Sequence, residues 1–344
     1  MRVGQNPAKH GLSAYKPKPL VVALLTFIPN EEGYFKQLYE ILLYQIASLH
    51  ASTSNFDLVV FDNGSSFEIK ERLVNLQQQG LVHSLYLSKF NLGKVAAINW
   101  ILSSQQDHEW ICFSDGDMFF RPGWFEDCKA IFQAFPQAGL VFAKPSLFDV
   151  LHGKGKADQI LINDPRYRIE RKQMPQDVIA EYARGYGLTP DQENGYKDNL
   201  YKIVEDVNSG TKALINASHN QFLTTREAAK KIFPLDTKLG FSTMKGSDFN
   251  RKVDDLGLLQ LSTLFPYTFH MGNSIDDWTR EEINRLKLDN ILREEQPLPS
   301  NIQEASDKSR KQKAIPFLKT LAKNRFLSNI LRRIYNALFE FYAS

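Results

Sequence analysis

The segment at residues 110–118 ends in two acidic side chains separated by one glycine. Its letters are WICFSDGDM, so Asp115 and Asp117 follow a mostly apolar run. Such a run predicts a buried strand, and residues just after a strand lie at an exposed edge of the sheet. Carboxylate oxygens are the ligands that Mg2+ and Mn2+ prefer. We predict a divalent-metal site here, with an ordinary Asp-Gly turn as the competing interpretation.

Two other polar segments also follow short apolar runs. Asp62 begins the letters DNGSS, and its carboxylate can accept the N–H of a nucleobase or bond a ribose hydroxyl. Asn91 and Lys94 open a predicted helix, where backbone N–H groups and the ammonium can attract a phosphate. Turn chemistry and a plain helix start are the alternatives. A divalent ion at Asp115 and Asp117 would pair naturally with a diphosphate.

The elements that position these side chains alternate between strand and helix patterns. Predicted strands lie at 20–26, 58–62, 84–88, 110–114 and 140–143. Predicted helices lie at 34–49, 67–79, 94–103 and 124–135. Repeated strand-helix-strand units predict an α/β fold, with a Rossmann-like, mostly parallel sheet and helices on both faces. In such sheets ligands bind outside the carboxyl ends of the strands.

The alternation stops after residue 144, and changes in composition divide the rest of the chain. The predicted segments are an extension (1–19), a first α/β half (20–144), a polar insertion (145–212), a second half (213–295), a linker (296–313) and a C-terminal helix (314–344). The insertion predicts a lid or an acceptor surface. Beyond it we expect a strand within 213–224, helices at 226–232 and 247–256, a last strand ending near His270, and a helix at 276–295.

Composition excludes several classes of protein. The 344 residues are 43% hydrophobic and 24% charged, which is typical of soluble globular domains and not of disordered or multi-span membrane chains. The formal net charge of +3 is too small for a protein whose main ligand is nucleic acid. Two cysteines form neither a disulfide framework nor a zinc motif, so we expect a reducing, cytoplasmic setting.

Both ends of the chain raise the question of membrane contact. A basic start precedes the apolar run at 20–28, but no small-residue cleavage site follows, and we favour a strand over a secretory signal. No run reaches the roughly 18–20 apolar residues that span a bilayer. Residues 314–344 predict a basic amphipathic helix. It would lie on an anionic membrane, at the inner face, or dock on the protein's own body.

Taken in order, the motifs resemble those of a known family. The succession TFIPNEE, FDNGSS, NLGKVAAIN, FSDGDMFFRPGW, GSDFNRKVDDLG and HMGNS is similar to that of the family 2 glycosyltransferases, which are inverting enzymes with the GT-A fold. The resemblance covers about residues 20–274. It implies that 20–144 is a nucleotide-sugar-binding half and 213–295 an acceptor or catalytic half. It implies metal-dependent transfer of a sugar from a nucleotide-sugar, UDP-linked in the commonest case, to a hydroxyl of a glycan or lipid-linked acceptor.

The resemblance also implies roles on the donor side. Pro29 and Glu31 would lie against the nucleoside, Asp62 would bind the base, and Asn91 and Lys94 would lie near the diphosphate. The residue after Asp62 is an asparagine, where many relatives have a second aspartate. By the same likeness, base recognition would rest on Asp62.

Further roles concern the metal and the chemistry. Asp115 and Asp117 match the family's Asp-X-Asp metal motif, with Asp115 also counted among the nucleotide-sugar-binding residues. Asp248 matches the presumed catalytic base, although Ser247 stands where the family commonly has Glu; a helix-start carboxylate is the alternative. His270 matches a late histidine that can approach the metal or the phosphate, with an ordinary histidine as the alternative.

Two other functions compete with this hypothesis. A sugar-phosphate nucleotidyltransferase also combines a nucleotide-binding sheet with a metal, but usually has a glycine-rich basic loop after its first strand, where this chain reads FIPNEE. A non-catalytic member would bind a saccharide or partner through residues 145–212. The retained carboxylates favour an enzyme over such a binding module.

Overall fold

The computed structural model describes residues 15–105, 107–147, 156–216, 218–236 and 246–292. Within these residues the strands, in chain order, are β1 (Leu20–Thr26), β2 (Phe56–Asp62), β3 (Ser84–Leu87), β4 (Trp110–Asp115), β5 (Met118–Phe120), β6 (Ala138–Phe142), β7 (Tyr167–Lys172), β8 (Tyr201–Asp206), β9 (Lys212–Leu214), β10 (Gln221–Thr225), β11 (Leu259–Ser262) and β12 (Thr268–His270). The helices are α1 (Leu38–Ser52), α2 (Phe67–Gln78), α3 (Lys94–Ser104), α4 (Trp124–Ala134), α5 (Lys156–Ile162), α6 (Gln176–Gly185), α7 (Pro190–Lys197), α8 (Arg226–Ile232), α9 (Gly246–Asp255), α10 (Asp277–Arg285) and α11 (Leu288–Leu292).

The main sheet has the strand order β3-β2-β1-β4-β10-β6-β11-β9-β8-β7. Strands β3, β2, β1 and β4 are parallel, and β6 and β11 are parallel as well. Strand β10 lies antiparallel between β4 and β6, and β5 pairs with β12 in a separate two-stranded sheet. The predicted α/β class, with mostly parallel core strands, is confirmed.

Strand β1 shows why its sequence is an unbroken apolar run. Leu20, Val22 and Leu24 belong to one core cluster, whereas Val21 and Ala23 belong to a second cluster on the opposite face. Helices α1, α2 and α4 cover the first face, and α3 and α8 cover the second. Because both faces are buried, alternation of polar and apolar residues is absent. The prediction of a buried strand at residues 20–26 is confirmed.

The structure departs from the predicted elements in three places. Helix α1 begins at Leu38 and not at 34, since Gly33–Phe35 forms a separate 3-10 turn. The strand expected within 213–224 is two strands, β9 and β10. The helix expected at 276–295 is interrupted after α10, where Lys287 adopts a positive φ of 55°. A left-handed residue cannot continue a helix, so α11 starts anew.

The polar insertion at 145–212 contributes to the sheet itself. Strands β7 and β8 pair antiparallel with each other, and β8 pairs with β9, so the insertion extends the sheet on one side. Helix α6 packs against β12, next to the carboxyl end of β4. A surface lid alone is therefore too simple a description, because the segment carries part of the core, with Ile179 and Val204 buried.

Some predicted features lie outside the described residues. These are most of the extension at 1–19, the linker at 296–313 and the basic helix at 314–344. Within the described part, no helix combines the length and apolar character needed to cross a bilayer.

Candidate active site

The loops that follow β1 and β2 are tied together by hydrogen bonds. The Asn63 N–H donates to the Thr26 carbonyl at 2.8 Å, and the Ser66 N–H donates to the Ile28 carbonyl at 3.0 Å. In return, the Ile28 N–H donates to the Ser65 hydroxyl at 2.7 Å. Parallel neighbouring strands make this possible, because their carboxyl ends meet at one edge. The two loops therefore form one wall of a site.

Asp62 holds the second of these loops in shape. Its carboxylate is fully buried and accepts the Ser65 N–H at 3.1 Å and the Gly64 N–H at 3.3 Å. Burial raises the pKa of Asp62, although these hydrogen bonds and Lys70 at 3.8 Å oppose that effect. Because the carboxylate oxygens accept hydrogen bonds from the backbone of the loop, Asp62 stabilises the conformation of that loop. Its expected contact with a nucleobase stays a prediction.

Asn91 joins this loop to the start of α3. The Asn63 Nδ2 group donates to Asn91 Oδ1 at 2.9 Å, and the same oxygen accepts the Gly93 N–H at 2.9 Å. Gly64 has a φ of +94°, and a Cβ there would lie 2.6 Å from the Asn91 nitrogen. Only glycine allows this close approach of the two loops. The junction fixes where α3 begins, and hence the base of Lys94.

Lys94 and Asp115 form a direct ion pair. The ammonium lies 2.6 Å from Asp115 Oδ2. Burial raises the pKa of Asp115, and Lys94 only partly offsets the effect. The backbone of Asp115 is held from two sides, since its carbonyl accepts from Gln45 Nε2 at 2.8 Å and its N–H donates to the Asn220 carbonyl at 2.8 Å. The structure thus brings together two residues that the sequence placed 21 positions apart.

Asp117 faces His270 across the β5–β12 pair. His270 Nε2 lies 3.1 Å from Asp117 Oδ2, while its Nδ1 accepts the Gly272 N–H at 3.1 Å. A neutral imidazole whose Nδ1 accepts must carry its proton on Nε2, so His270 donates to Asp117. Burial opposes ionisation of Asp117, but His270 outweighs burial and the pKa is lowered. In this tautomer His270 orients the carboxylate.

The two aspartates fit a divalent ion that a substrate would share. Their side chains are 23% and 22% exposed for Asp115 and Asp117, yet Asp117 Oδ1 is buried and has no hydrogen-bond partner. In the described part of the chain, no group of three or more His, Cys, Asp and Glu is placed to hold a metal by itself. Mg2+ is commonly bound by one or two carboxylates together with substrate phosphates and water. Asp115 and Asp117 match that arrangement.

Three further side chains reach this site without having been predicted. They are Lys144, Tyr186 and His219. The Tyr186 ring stacks on His270 with centroids 5.7 Å apart, and Lys144 Nζ lies 3.3 Å from the Tyr186 hydroxyl. Lys144 follows β6, so the rule that predicted Asp115 applied to it as well. His219 precedes β10, and only the antiparallel direction of that strand brings it to the same edge.

His219 gives a pH-dependent contribution to stability. Burial lowers its pKa from 6.5 to about 4, and Lys94 and Lys144 act in the same direction. Between these values the unfolded chain binds a proton that the folded protein does not, so stability falls as pH is lowered from 6.5 towards 4. We expect His219→Gln to flatten this dependence by up to about 3 kcal/mol. Urea unfolding at pH 7 and pH 4.5 gives the change in unfolding free energy between the two pH values. The same change in the wild-type protein and the variant would contradict the prediction.

The remaining predicted site residues are Pro29, Glu31 and Asp248. Glu31 forms an exposed, bidentate pair with Arg72 at 2.8 and 3.0 Å, and Pro29 lies in the same loop. Asp248 lies in the first turn of α9, but the side chains of residues 246–248 are outside the described part of the structure. The expected roles of Glu31 and Asp248 therefore stay predictions.

An α/β sheet with acidic and basic side chains gathered at its carboxyl edge has the architecture of a nucleotide-binding enzyme. Residues 27–189 match the model of glycosyl transferase family 2, which is the family that the motifs resemble. The resemblance seen in the motifs is confirmed over that range. No curated protein matches the chain.

The chain also matches several solved structures at low sequence identity. GalNAc-T7, solved with UDP, GalNAc and Mn2+, is 13% identical with a TM-score of 0.46, over 79% of this chain and 48% of that one. The mannosyltransferase PcManGT of Pyrobaculum calidifontis, solved with GDP-Man and Mn2+, is 13% identical with a TM-score of 0.42, over 72% and 55%. S. aureus TarS 1–349 with UDP is 15% identical with a TM-score of 0.29, over 36% and 34%. This chain thus spans about half the length of the first of these proteins.

Proposed function

We propose that the protein is a metal-dependent, inverting glycosyltransferase that moves a sugar from a nucleotide-sugar, with UDP as the first candidate, to an acceptor hydroxyl. The observation that carries the proposal is the meeting of Asp115, Asp117, Lys94 and His270 at one edge of the structure, and the family 2 match at residues 27–189 supports it. Acceptors of the glycan or lipid-linked class fit the resemblance. Cytoplasmic action, with residues 314–344 on an anionic membrane surface, is the corresponding proposal for where the enzyme works.

Each charged group has a task in such a reaction. Asp115 and Asp117 would hold Mn2+ or Mg2+, which supplies positive charge next to the departing diphosphate. Lys94 lies 2.6 Å from Asp115 and supplies a further positive charge at the same edge. His270 keeps Asp117 oriented through the Nε2–H hydrogen bond. Together these residues favour the build-up of negative charge on the leaving group.

The acceptor side requires a base. The acceptor hydroxyl attacks the anomeric carbon from the face opposite the diphosphate, so a single displacement inverts that centre. We assign the proton to Asp248, because an aspartate of ordinary pKa is ionised at neutral pH and can take a proton from an attacking hydroxyl. The position of Asp248 in the first turn of α9 is compatible with that task.

The decisive experiment measures release of nucleoside diphosphate from a panel of UDP- and GDP-sugars. We expect release from at least one donor in Mn2+ or Mg2+, and its loss after EDTA treatment with recovery on adding metal. Release that persists in EDTA would contradict the metal requirement. A parallel incubation with nucleoside triphosphate and sugar phosphate tests the nucleotidyltransferase alternative, which would produce pyrophosphate.

A further inference from the structure

Tyr186 directly follows α6 in the polar insertion, and its ring packs on β12. The ring is nearly parallel to that of His270, at an angle of 14° and with the centroids 5.7 Å apart. Gly185 allows this close approach, because a Cβ there would lie 3.1 Å from the His270 carbonyl oxygen. A ring stacked on the imidazole restricts the rotation of the imidazole. Tyr186 therefore fixes the plane of the side chain that donates to Asp117.

The Tyr186 hydroxyl belongs to a second network, which leads to Asp115. Asn220 Nδ2 donates to the Tyr186 oxygen at 3.1 Å, and Ser218 Oγ donates to Asn220 Oδ1 at 2.7 Å. Ser218 also bonds the Tyr186 hydroxyl, so the three side chains form a closed ring of hydrogen bonds. The Asn220 carbonyl in turn accepts the Asp115 N–H at 2.8 Å. The hydroxyl therefore holds the residue that supports the backbone of Asp115.

Lys144 holds the phenol from a further side. Its Nζ lies 3.3 Å from the Tyr186 oxygen and 4.9 Å from the centre of the ring. Burial would raise the pKa of Tyr186, but Lys144 and the hydrogen bonds to the hydroxyl lower it instead. Burial also opposes ionisation of Asp117, and Lys144 is one of the charges that nevertheless hold its pKa low. The ring and the hydroxyl of Tyr186 are thus both fixed by neighbouring side chains of the site.

We propose that Tyr186 is a positioning residue for the two aspartates that follow β4, acting on Asp117 through His270 and on Asp115 through Asn220. Two carboxylates that share a metal ion must hold their oxygens at a fixed separation, and groups that orient the ligands raise the affinity for the ion. The polar insertion would then help to build the metal site in addition to extending the sheet. This inference rests on the proposed function for the presence of the metal, whereas the orientation of His270 does not depend on it.

Mn2+ binding to the whole protein, measured by electron paramagnetic resonance, tests the inference. Tyr186→Leu removes both the ring and the hydroxyl, and we expect the dissociation constant for Mn2+ to rise by about tenfold or more. Tyr186→Phe keeps the ring that stacks on His270 and removes only the hydroxyl, so we expect a smaller rise. The phenylalanine variant also keeps the test valid if the leucine variant does not fold. Equal Mn2+ affinities in the wild-type protein and the folded variants would overturn the inference.

Tyr167 provides the matched control, because it makes the same kinds of contact elsewhere. Its ring stacks on Phe135 with the centroids 5.1 Å apart, and its hydroxyl donates to the Ala134 carbonyl at 3.3 Å. It lies in β7, six strands along the sheet from β4. We expect Tyr167→Leu to lower the unfolding free energy and to leave the Mn2+ affinity unchanged. Equal losses of Mn2+ affinity in both leucine variants would indicate a general loosening of the fold and would reject a specific role for Tyr186.

A measurement without metal separates this inference from the proposed function. NMR spectra of the imidazole nitrogens show which nitrogen of His270 carries the proton, and we expect Nε2 in the wild-type protein. We expect these His270 signals to shift in Tyr186→Leu and to stay in place in Tyr167→Leu. Unchanged His270 signals in Tyr186→Leu would overturn the inference. A wild-type protein that binds no Mn2+, but whose His270 signals depend on Tyr186, would instead reject the metal requirement of the proposed function and keep the orienting role of Tyr186.

Discussion

Replacing Asp117 with asparagine is expected to lower sugar transfer by at least about 100-fold while the protein stays folded. The amide oxygen of the variant would still accept the hydrogen bond from His270 Nε2, so the β5–β12 pair keeps its contact. The variant loses the negative charge and replaces one carboxylate oxygen with a donor. A neutral amide is a poor substitute for the carboxylate that a divalent ion prefers. The measurement is kcat/KM for the donor found active, at saturating Mn2+.

The control for this experiment is Asp107→Asn, which removes an exposed acid in the turn before β4. Its activity should remain within about twofold of the wild-type value, because surface charges distant from a site have small effects. Electron paramagnetic resonance measures Mn2+ binding directly. It therefore distinguishes a variant that no longer binds the metal from one that binds it but transfers sugar slowly. An Asp117→Asn protein that transfers sugar at the wild-type rate would refute the assignment of the metal site.

Replacing Arg121 with methionine is expected to cost about 3–5 kcal/mol of unfolding free energy. Arg121 is 8% exposed and connects three parts of the chain. Its guanidinium donates to Glu181 in α6, to Glu282 in α10 at 2.9 Å, and to the Pro266 carbonyl at 2.5 Å. Removal of the cation leaves the buried Glu181 carboxylate without its guanidinium partner, whereas Glu282 keeps Arg285 at 2.7 Å, and burial already raises the pKa of Glu181. Urea denaturation, monitored by circular dichroism, measures the loss of unfolding free energy.

Arg72→Met is the matched control, since it breaks the Arg72–Glu31 pair, whose side chains are 43% and 40% exposed. An exposed pair contributes at most about 1 kcal/mol, because water screens the charges and two long side chains lose freedom. We therefore expect a large difference between the two variants. Similar small losses in both would show that α6 and α10 are held by other contacts. Should Arg121→Met fail to fold, Glu181→Gln provides a milder test of the same network.

Most strands and helices before residue 142, although not β5, were predictable because their determinants are local. Strand β1 was predicted at its observed bounds, and helix α8 likewise at residues 226–232. Ser66 caps α2 through its hydroxyl, which accepts the Ile69 N–H at 3.4 Å, and the motif DNGSS indicated the turn before it. Caps, turns and hydrophobic periodicity are properties of neighbouring residues, so one sequence suffices to identify them.

The pairing of the insertion with the sheet could not be predicted, for the opposite reason. Its polar composition predicted a lid or an acceptor surface, and the pairing of β7, β8 and β9 shows in addition that the segment extends the sheet. Tyr186 lies inside this segment and carries no motif, and only the packing of α6 against β12 brings it to His270. Contacts of that kind depend on elements distant in the chain, which periodicity does not report.

The sequence by itself determined the α/β alternation, the carboxylates after β2 and β4, and the match of residues 27–189 to the model of glycosyl transferase family 2. Only the tertiary structure decided that β10 runs antiparallel beside β4, which seats Asn220 against Asp115 and His219 next to the site. It also decided that Lys144 meets Tyr186, 42 residues later in the chain. Backbone preferences act over a few residues, whereas a site is assembled from strand ends whose order and direction the global packing sets.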